Sequence, residues 1–87
     1  MRKIWHDKAW EDYEYWLSQD RKTLKKIHRL LKSIDRSGYQ CEGHPEALKG
    51  DLSGFYSVHI DEKNRLVFRI TDEGIEIVQC GSHYGDE

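Results

Sequence analysis

Arg65-Leu66-Val67-Phe68-Arg69-Ile70-Thr71, the turn Asp72-Glu73-Gly74, and Ile75-Glu76-Ile77-Val78-Gln79-Cys80 form the stretch from which the fold follows. In the first run Leu66, Phe68 and Ile70 alternate with Arg65, Val67 and Arg69. Successive side chains of a strand point to opposite faces, so this run has one greasy face and one carrying arginines. Asp-Glu-Gly is turn chemistry, and Ile75 to Cys80 is rich in β-branched residues, which makes the pair an antiparallel hairpin. Just upstream, Phe55 to Ile60 alternates as well, and Asp61-Glu62-Lys63-Asn64 connects it to the first run. Three meandering strands result. Their greasier face has to be covered, which puts Arg65 on the open one.

The N-terminal half supplies the cover. Asp7 is read as an N-cap, after which Ala9, Trp10, Tyr13, Trp16 and Leu17 recur at helical spacing, so that Trp10, Tyr13 and Trp16 read as core aromatics. Ser18-Gln19-Asp20 breaks the pattern, and Asp20 or a neighbour caps a second helix. There Leu24, Ile27, Leu30, Leu31 and Ile34 make one apolar stripe, with Lys22, Lys25, Lys26, Arg29 and Lys32 on other faces. Ser37-Gly38 ends it. Arg2 to Trp5 is a short first strand. Tyr39 to Gly54 has no strong period and reads as a long surface loop with one turn around Glu46 to Lys49. The expected order is β-α-α-β-β-β, an α+β fold in which two helices pack on a mainly antiparallel four-stranded sheet, with residues 1–87 forming a single domain.

Length and composition agree. Eighty-seven residues allow one modest core, and with 37% hydrophobic against 34% charged residues most of the surface is ionic. No apolar run approaches the roughly 20 residues that span a bilayer. Met1 to Asp7 turns polar too early for a secretory segment, so no membrane association and a cytoplasmic setting are expected. Two cysteines, Cys41 and Cys80, make no disulfide scaffold. The net charge of −2 conceals an asymmetry of +4 over residues 1–36 against −6 over residues 37–87. Much of the positive charge runs from Arg21 to Arg36, suited either to a phosphate surface or simply to solvent.

One constellation suits chemistry. The loop bearing Glu46 and Lys49 leads into the meander, Arg65 lies on its open face, and His83 follows the last strand. RNA cleavage by internal attack needs a base for the ribose 2′-OH, positive charge for the phosphorane-like transition state, and an acid for the leaving 5′-oxygen. Glu46, Arg65 with Lys49, and His83 are the matching types. The nucleophile is already in the substrate, so no metal or other cofactor is expected. Singly, each residue has an ordinary alternative: a loop carboxylate, a strand-edge charge, a tail imidazole. A zinc site is the competing arrangement, because Cys41-Glu42-Gly43-His44 and Cys80-Gly81-Ser82-His83 are both Cys-x-x-His, although their spacing is loose.

From end to end the chain resembles the YoeB/Txe group of the RelE/ParE toxin superfamily, the ribosome-dependent mRNA interferases. Ile4-Trp5, Ala9-Trp10-Glu11-Asp12-Tyr13-Glu14-Tyr15-Trp16 and Lys25-Lys26-Ile27 carry the likeness through the helices. Gly43-His44-Pro45-Glu46-Ala47-Leu48-Lys49 is similar to the family's Gly-Lys-Pro-Glu-Pro-Leu-Lys. Leu52-Ser53-Gly54-Phe55-Tyr56-Ser57 resembles Leu-Ser-Gly-Phe-Trp-Ser, and Asn64-Arg65-Leu66-Val67-Phe68 resembles His-Arg-Leu-Val-Tyr. His83-Tyr84 matches the terminal His-Tyr. The resemblance implies a microbial-RNase-like fold, cleavage of mRNA in the A site of the 70S ribosome, and neutralisation by a YefM/Axe-like antitoxin. It also implies a homodimer. By the same likeness Glu46 is the general base, His83 the general acid, Arg65 the transition-state clamp, Lys49 a phosphate contact and Tyr84 an orienting group, while Lys22, Lys25, Lys26, Arg29 and Lys32 face ribosomal RNA.

The departures remove positive charge. Val58-His59 stands where the family has a basic pair, so a phosphate-binding arginine becomes a titratable His59. Gly81-Ser82 replaces Arg-Tyr, and Gly85-Asp86-Glu87 follows the His-Tyr. Weaker cleavage, or tuning to a different ribosome contact, is expected, and arginines at 58 and 59 with loss of the last three residues should raise cleavage. Non-nucleolytic readings are a gyrase inhibitor of the same superfamily, against which Glu46, Arg65, His83 and Tyr84 stand together, or a module that only binds antitoxin.

Overall fold

The alternation of residues 65–71 sorts the side chains of a five-stranded sheet. A computed structural model describes residues 1–82. Along the chain it contains β1 (Lys3–Trp5), α1 (Asp7–Gln19), α2 (Arg21–Ser37), β2 (Glu46–Ala47), β3 (Tyr56–His59), β4 (Arg65–Thr71) and β5 (Gly74–Gly81), with single tight turns at Gly38–Gln40 and Gly50–Leu52. The sheet order is β1-β5-β4-β3-β2. β1 runs parallel to β5, and every other pairing is antiparallel.

Two expectations need correction. The sheet has five strands, not four, because Glu46–Ala47 is an edge strand on β3 rather than a turn in a loop. Its pairing is extended by the Leu48 N–H, which donates to the Phe55 carbonyl at 2.9 Å. Asp7 is the first helical residue and His6 the N-cap, a shift of one position. Asp20 caps α2 as expected: its carboxylate accepts the Thr23 N–H at 3.1 Å and the Thr23 hydroxyl at 2.8 Å. Those bonds hold the Asp20 carboxyl below its ordinary range, the Thr23 backbone N–H contributing most.

The main core lies between helices and sheet. Ile27, Leu30, Leu31 and Ile34 of α2 meet Val58, Leu66, Phe68, Ile75 and Ile77. Trp5, Tyr13 and Trp16 pack on this core half-buried, whereas Trp10 is 44% exposed and stacks on Tyr13, so the aromatic face of α1 is less internal than its spacing suggests. Gly74 has no alternative at its position, since a Cβ there would lie 2.3 Å from the Arg2 carbonyl oxygen where β1 joins β5.

Across the sheet, Phe55, Val67 and Val78 form a second small cluster with Leu48 and Leu52. The open face is therefore partly apolar. β5 has one extra residue relative to β4, because Val67 pairs with Gln79 and Phe68 with Ile77. Such a bulge bends the strand and re-aims the residues after it.

Candidate active site

Register decides which candidate residues share a face. Glu46 pairs with Ser57, Ser57 with Val67, and Val67 with Gln79, making one row across four strands. Val67 belongs to the open-face cluster, and so does Leu48, two residues after Glu46, which puts Glu46 on that face. The next row is His59, Arg65 and Gly81. From strand spacing, two strands across and two residues along, the Cα atoms of Glu46 and Arg65 lie ~12 Å apart. A glutamate and an arginine side chain are together long enough to span that distance.

Arg65 is fastened by its own turn. Its Nη1 donates to the carbonyls of Asp61, Glu62 and Asn64 at 3.1, 3.2 and 3.3 Å. The turn is itself closed by the Asp61 carboxylate, which accepts the N–H groups of Lys63 and Asn64, both at 2.8 Å. Burial pushes the Asp61 carboxyl up, but the bonds from Asn64 and Lys63 and the Arg65 charge outweigh it and hold it low. A guanidinium anchored through one nitrogen keeps a fixed direction for the others, a useful property in an anion clamp.

His59 is half-buried beside Arg65, with its ring 6.2 Å from that of His44. The approach depends on Gly43, at φ +98°, whose carbonyl accepts the His59 N–H at 2.9 Å. Lys49 is exposed immediately before the Gly50–Leu52 turn. Val58 corrects an expectation. It is fully buried on the helix side of β3, so an arginine there would enter the core and only position 59 bears on the open face.

The basic helix is not one stripe. Lys22 and Lys26 flank Asp61, whereas Lys25, Arg29 and Lys32 line a second groove with His28, Arg36 and Glu42. In that groove Arg29 is paired with Glu42 at 2.9 Å.

The cysteines of both Cys-x-x-His pairs are buried, free thiols. Cys80 is fully buried with its Sγ donating to the Ala9 carbonyl at 3.4 Å, and burial pushes its thiol up to about 12. Burial raises Cys41 too. Among the described residues no three His, Cys, Asp or Glu side chains converge as a metal set. His83 and Tyr84, assigned by resemblance as acid and orienting group, lie outside the described residues, as does the Gly85-Asp86-Glu87 extension.

Some site residues escaped the sequence reading. Ser57 and Gln79 are buried in the row of Glu46. The Gln79 Nε2 donates to the Gly81 carbonyl at 2.6 Å, while its Oε1 has no partner among the described residues. Alternation of residues 55–60 contained the signal for Ser57. The bulge hid Gln79, because it shifts the parity of β5.

With this arrangement established, comparison with known proteins becomes informative. A sequence model of the YoeB-like toxins of bacterial type II toxin–antitoxin systems matches residues 5–84. The chain belongs to this family. A YoeB toxin of Streptomyces coelicolor is 46% identical over 97% of this chain and all of its own length. Two Staphylococcus aureus structures superpose closely. A YoeB–YefM complex has a TM-score of 0.89 at 42% identity, and a YoeB dimer has 0.88 at 44%; each match covers 97% of this chain and 98% of the other. The YoeB structures share the two helices on a mixed sheet.

Proposed function

We propose that this YoeB-family toxin is a metal-independent endoribonuclease that cuts mRNA in the ribosomal A site and so stops translation. The observation that carries the reading is the common open face of Glu46 and Arg65, with β5 bringing the chain to Gly81 directly across from Arg65. His83 is two residues beyond Gly81, a distance of at most about 7 Å of extended chain.

In the proposed reaction Glu46 takes the proton of the ribose 2′-OH, and O2′ attacks the adjacent phosphorus. Arg65 stabilises the charge growing on the equatorial oxygens, helped by Lys49 and His59 as phosphate contacts. The P–O5′ bond breaks as His83 protonates O5′, leaving a 2′,3′-cyclic phosphate and a 5′-hydroxyl. Tyr84 orients the reacting groups. Ribosomal RNA supplies phosphates for Lys22, Lys25, Lys26, Arg29 and Lys32, which explains a basic helix in an acidic protein.

By the same kinship a YefM/Axe-like antitoxin is the natural partner, as YefM is for the Staphylococcus aureus relative, and a homodimer is the natural assembly. Residues 1–87 act as one domain, in the cytoplasm where ribosomes are.

The test is primer extension on mRNA in stalled ribosomes incubated with the purified protein. A cut in the A-site codon is expected, with E46Q slower by about 10²–10⁴-fold. Equal cutting of message carrying 2′-deoxyribose at the cleaved position, or full activity of E46Q, would overturn the scheme.

A further inference from the structure

β1 covers only the first part of β5. Its last pair is Trp5 with Ile77, after which the outer edge of β5 has no neighbouring strand among the described residues. An uncovered edge leaves N–H and carbonyl groups unsatisfied and lets a strand end wander. Here α1 covers it. The His6 N–H donates to the Ile77 carbonyl at 2.9 Å. Farther along, the Asp12 carboxylate accepts the Cys80 N–H at 3.1 Å, and the Trp16 indole N–H donates to the Cys80 carbonyl at 2.7 Å. Asp12 and Trp16 are four residues apart on one helix face, so together they bond to Cys80 as a neighbouring strand would. The grip is tight. A Cβ on Gly81 would lie 3.1 Å from the Asp12 Cγ, and Lys8 holds the other carboxylate oxygen at 2.7 Å. Lys8, Asp12, Trp16, Asn64 and Gly81 line one shallow groove, which brings this clamp to the turn that fastens Arg65.

We infer that Asp12 and Trp16 are positioning residues for cleavage: by clamping Cys80 they fix the end of β5, from which the chain runs on to His83. The inference rests on His83 acting as the general acid, as proposed above. The two side-chain bonds hold the strand end three residues before the acid in sequence. Misplacement of a reacting group by about 1 Å is enough to lower a rate on the order of 10²-fold.

The experiment uses two messages on the ribosome, one ordinary and one with a bridging 5′-sulfur at the cut position. A thiolate leaves without protonation, so the sulfur message needs no general acid. D12A is expected to lower kcat on the ordinary message on the order of 10²-fold with KM unchanged, and to cut the sulfur message as fast as the unmodified protein does. D12N keeps an acceptor for the Cys80 N–H and is expected to stay within a few-fold of full activity. W16F, which lacks the indole N–H, should repeat the D12A pattern more weakly. Equal losses of D12A on both messages would mean a general folding defect and overturn the inference. So would D12A activity within twofold of the unmodified protein. H83Q separates the two readings. If H83Q is rescued by sulfur and D12A is not, the role of Asp12 fails alone; if H83Q is not rescued, His83 is not the acid and both readings fall.

Discussion

The Arg69 guanidinium meets the Glu76 carboxylate at 2.6 Å while its carbon lies 4.4 Å above the centre of the Phe55 ring. Glu76 also contacts His6 at 2.7 Å, so one carboxylate joins β4, β5 and the start of α1 on the open face. The Arg69 hydrogen bond, ahead of opposing burial, holds the Glu76 carboxyl below its ordinary range.

That shift has a direction in pH. A carboxyl more acidic in the folded than in the unfolded chain stabilises the fold above its unfolded pKa, and the benefit disappears as pH falls through the lowered value. R69M should therefore lose about 1–2 kcal/mol near neutrality, from a partly exposed ion pair and a cation–π contact. Thermal melts as a function of pH check this. The gap between R69M and the unmodified protein should narrow once the solution is acid enough to protonate Glu76, and a gap constant down to pH 2 would show that only the packing on Phe55 mattered.

Gly43 joins the loop before β2 to the body of the sheet. A Cβ there would lie 3.0 Å from the Val58 Cβ and 3.2 Å from a Leu30 methyl, and φ is +98°. Both crowding and backbone strain oppose a side chain, so G43A should destabilise by about 2–3 kcal/mol. Its second consequence concerns His59, whose N–H bonds to the Gly43 carbonyl. Urea unfolding measures the first effect, and loss of the His44–His59 ring contact in the NMR spectrum of the histidines reports the second.

Period-2 and helical spacing sufficed for the helices, the meander and the placement of Arg65, because each signal recurs over many residues. Glu46–Ala47 was not legible, since two residues have no period; register with Ser57 and Tyr56 makes them a strand. The loss of charge at Val58-His59 was visible as a pair, but the pair divides between core and open face. Asp12 reads in sequence as one more polar residue on a helix, and its contact with Cys80 spans 68 positions. No local pattern encodes such a partner.

The thiols give a test of the zinc alternative that does not depend on activity. A zinc ligand is a thiolate, whereas Cys80 is buried with its proton directed at the Ala9 carbonyl and its pKa pushed up to about 12. Reaction with a thiol reagent at pH 8 should be on the order of 100-fold slower in the folded than in the unfolded protein. Zinc should leave the rate unchanged. Protection that appears only when zinc is added would mean that the Cys-x-x-His pairs bind metal after all.

His59 is where a change in charge should alter catalysis without touching the core. It pairs with Arg65 across β3 and β4, and its side chain is half-buried on the open face. An imidazole presents a phosphate with one ring N–H on that side, whereas the fork of a guanidinium bonds two oxygens at once. H59R should therefore raise cleavage at pH 8 by about tenfold, the equivalent of one good charge-assisted contact. V58R makes the control. Its side chain would have to enter the fully buried space of Val58, so it should lose structure rather than gain activity, measured as a fall in melting temperature. If V58R folded normally and cut faster while H59R did nothing, the division of this pair between core and open face would be wrong.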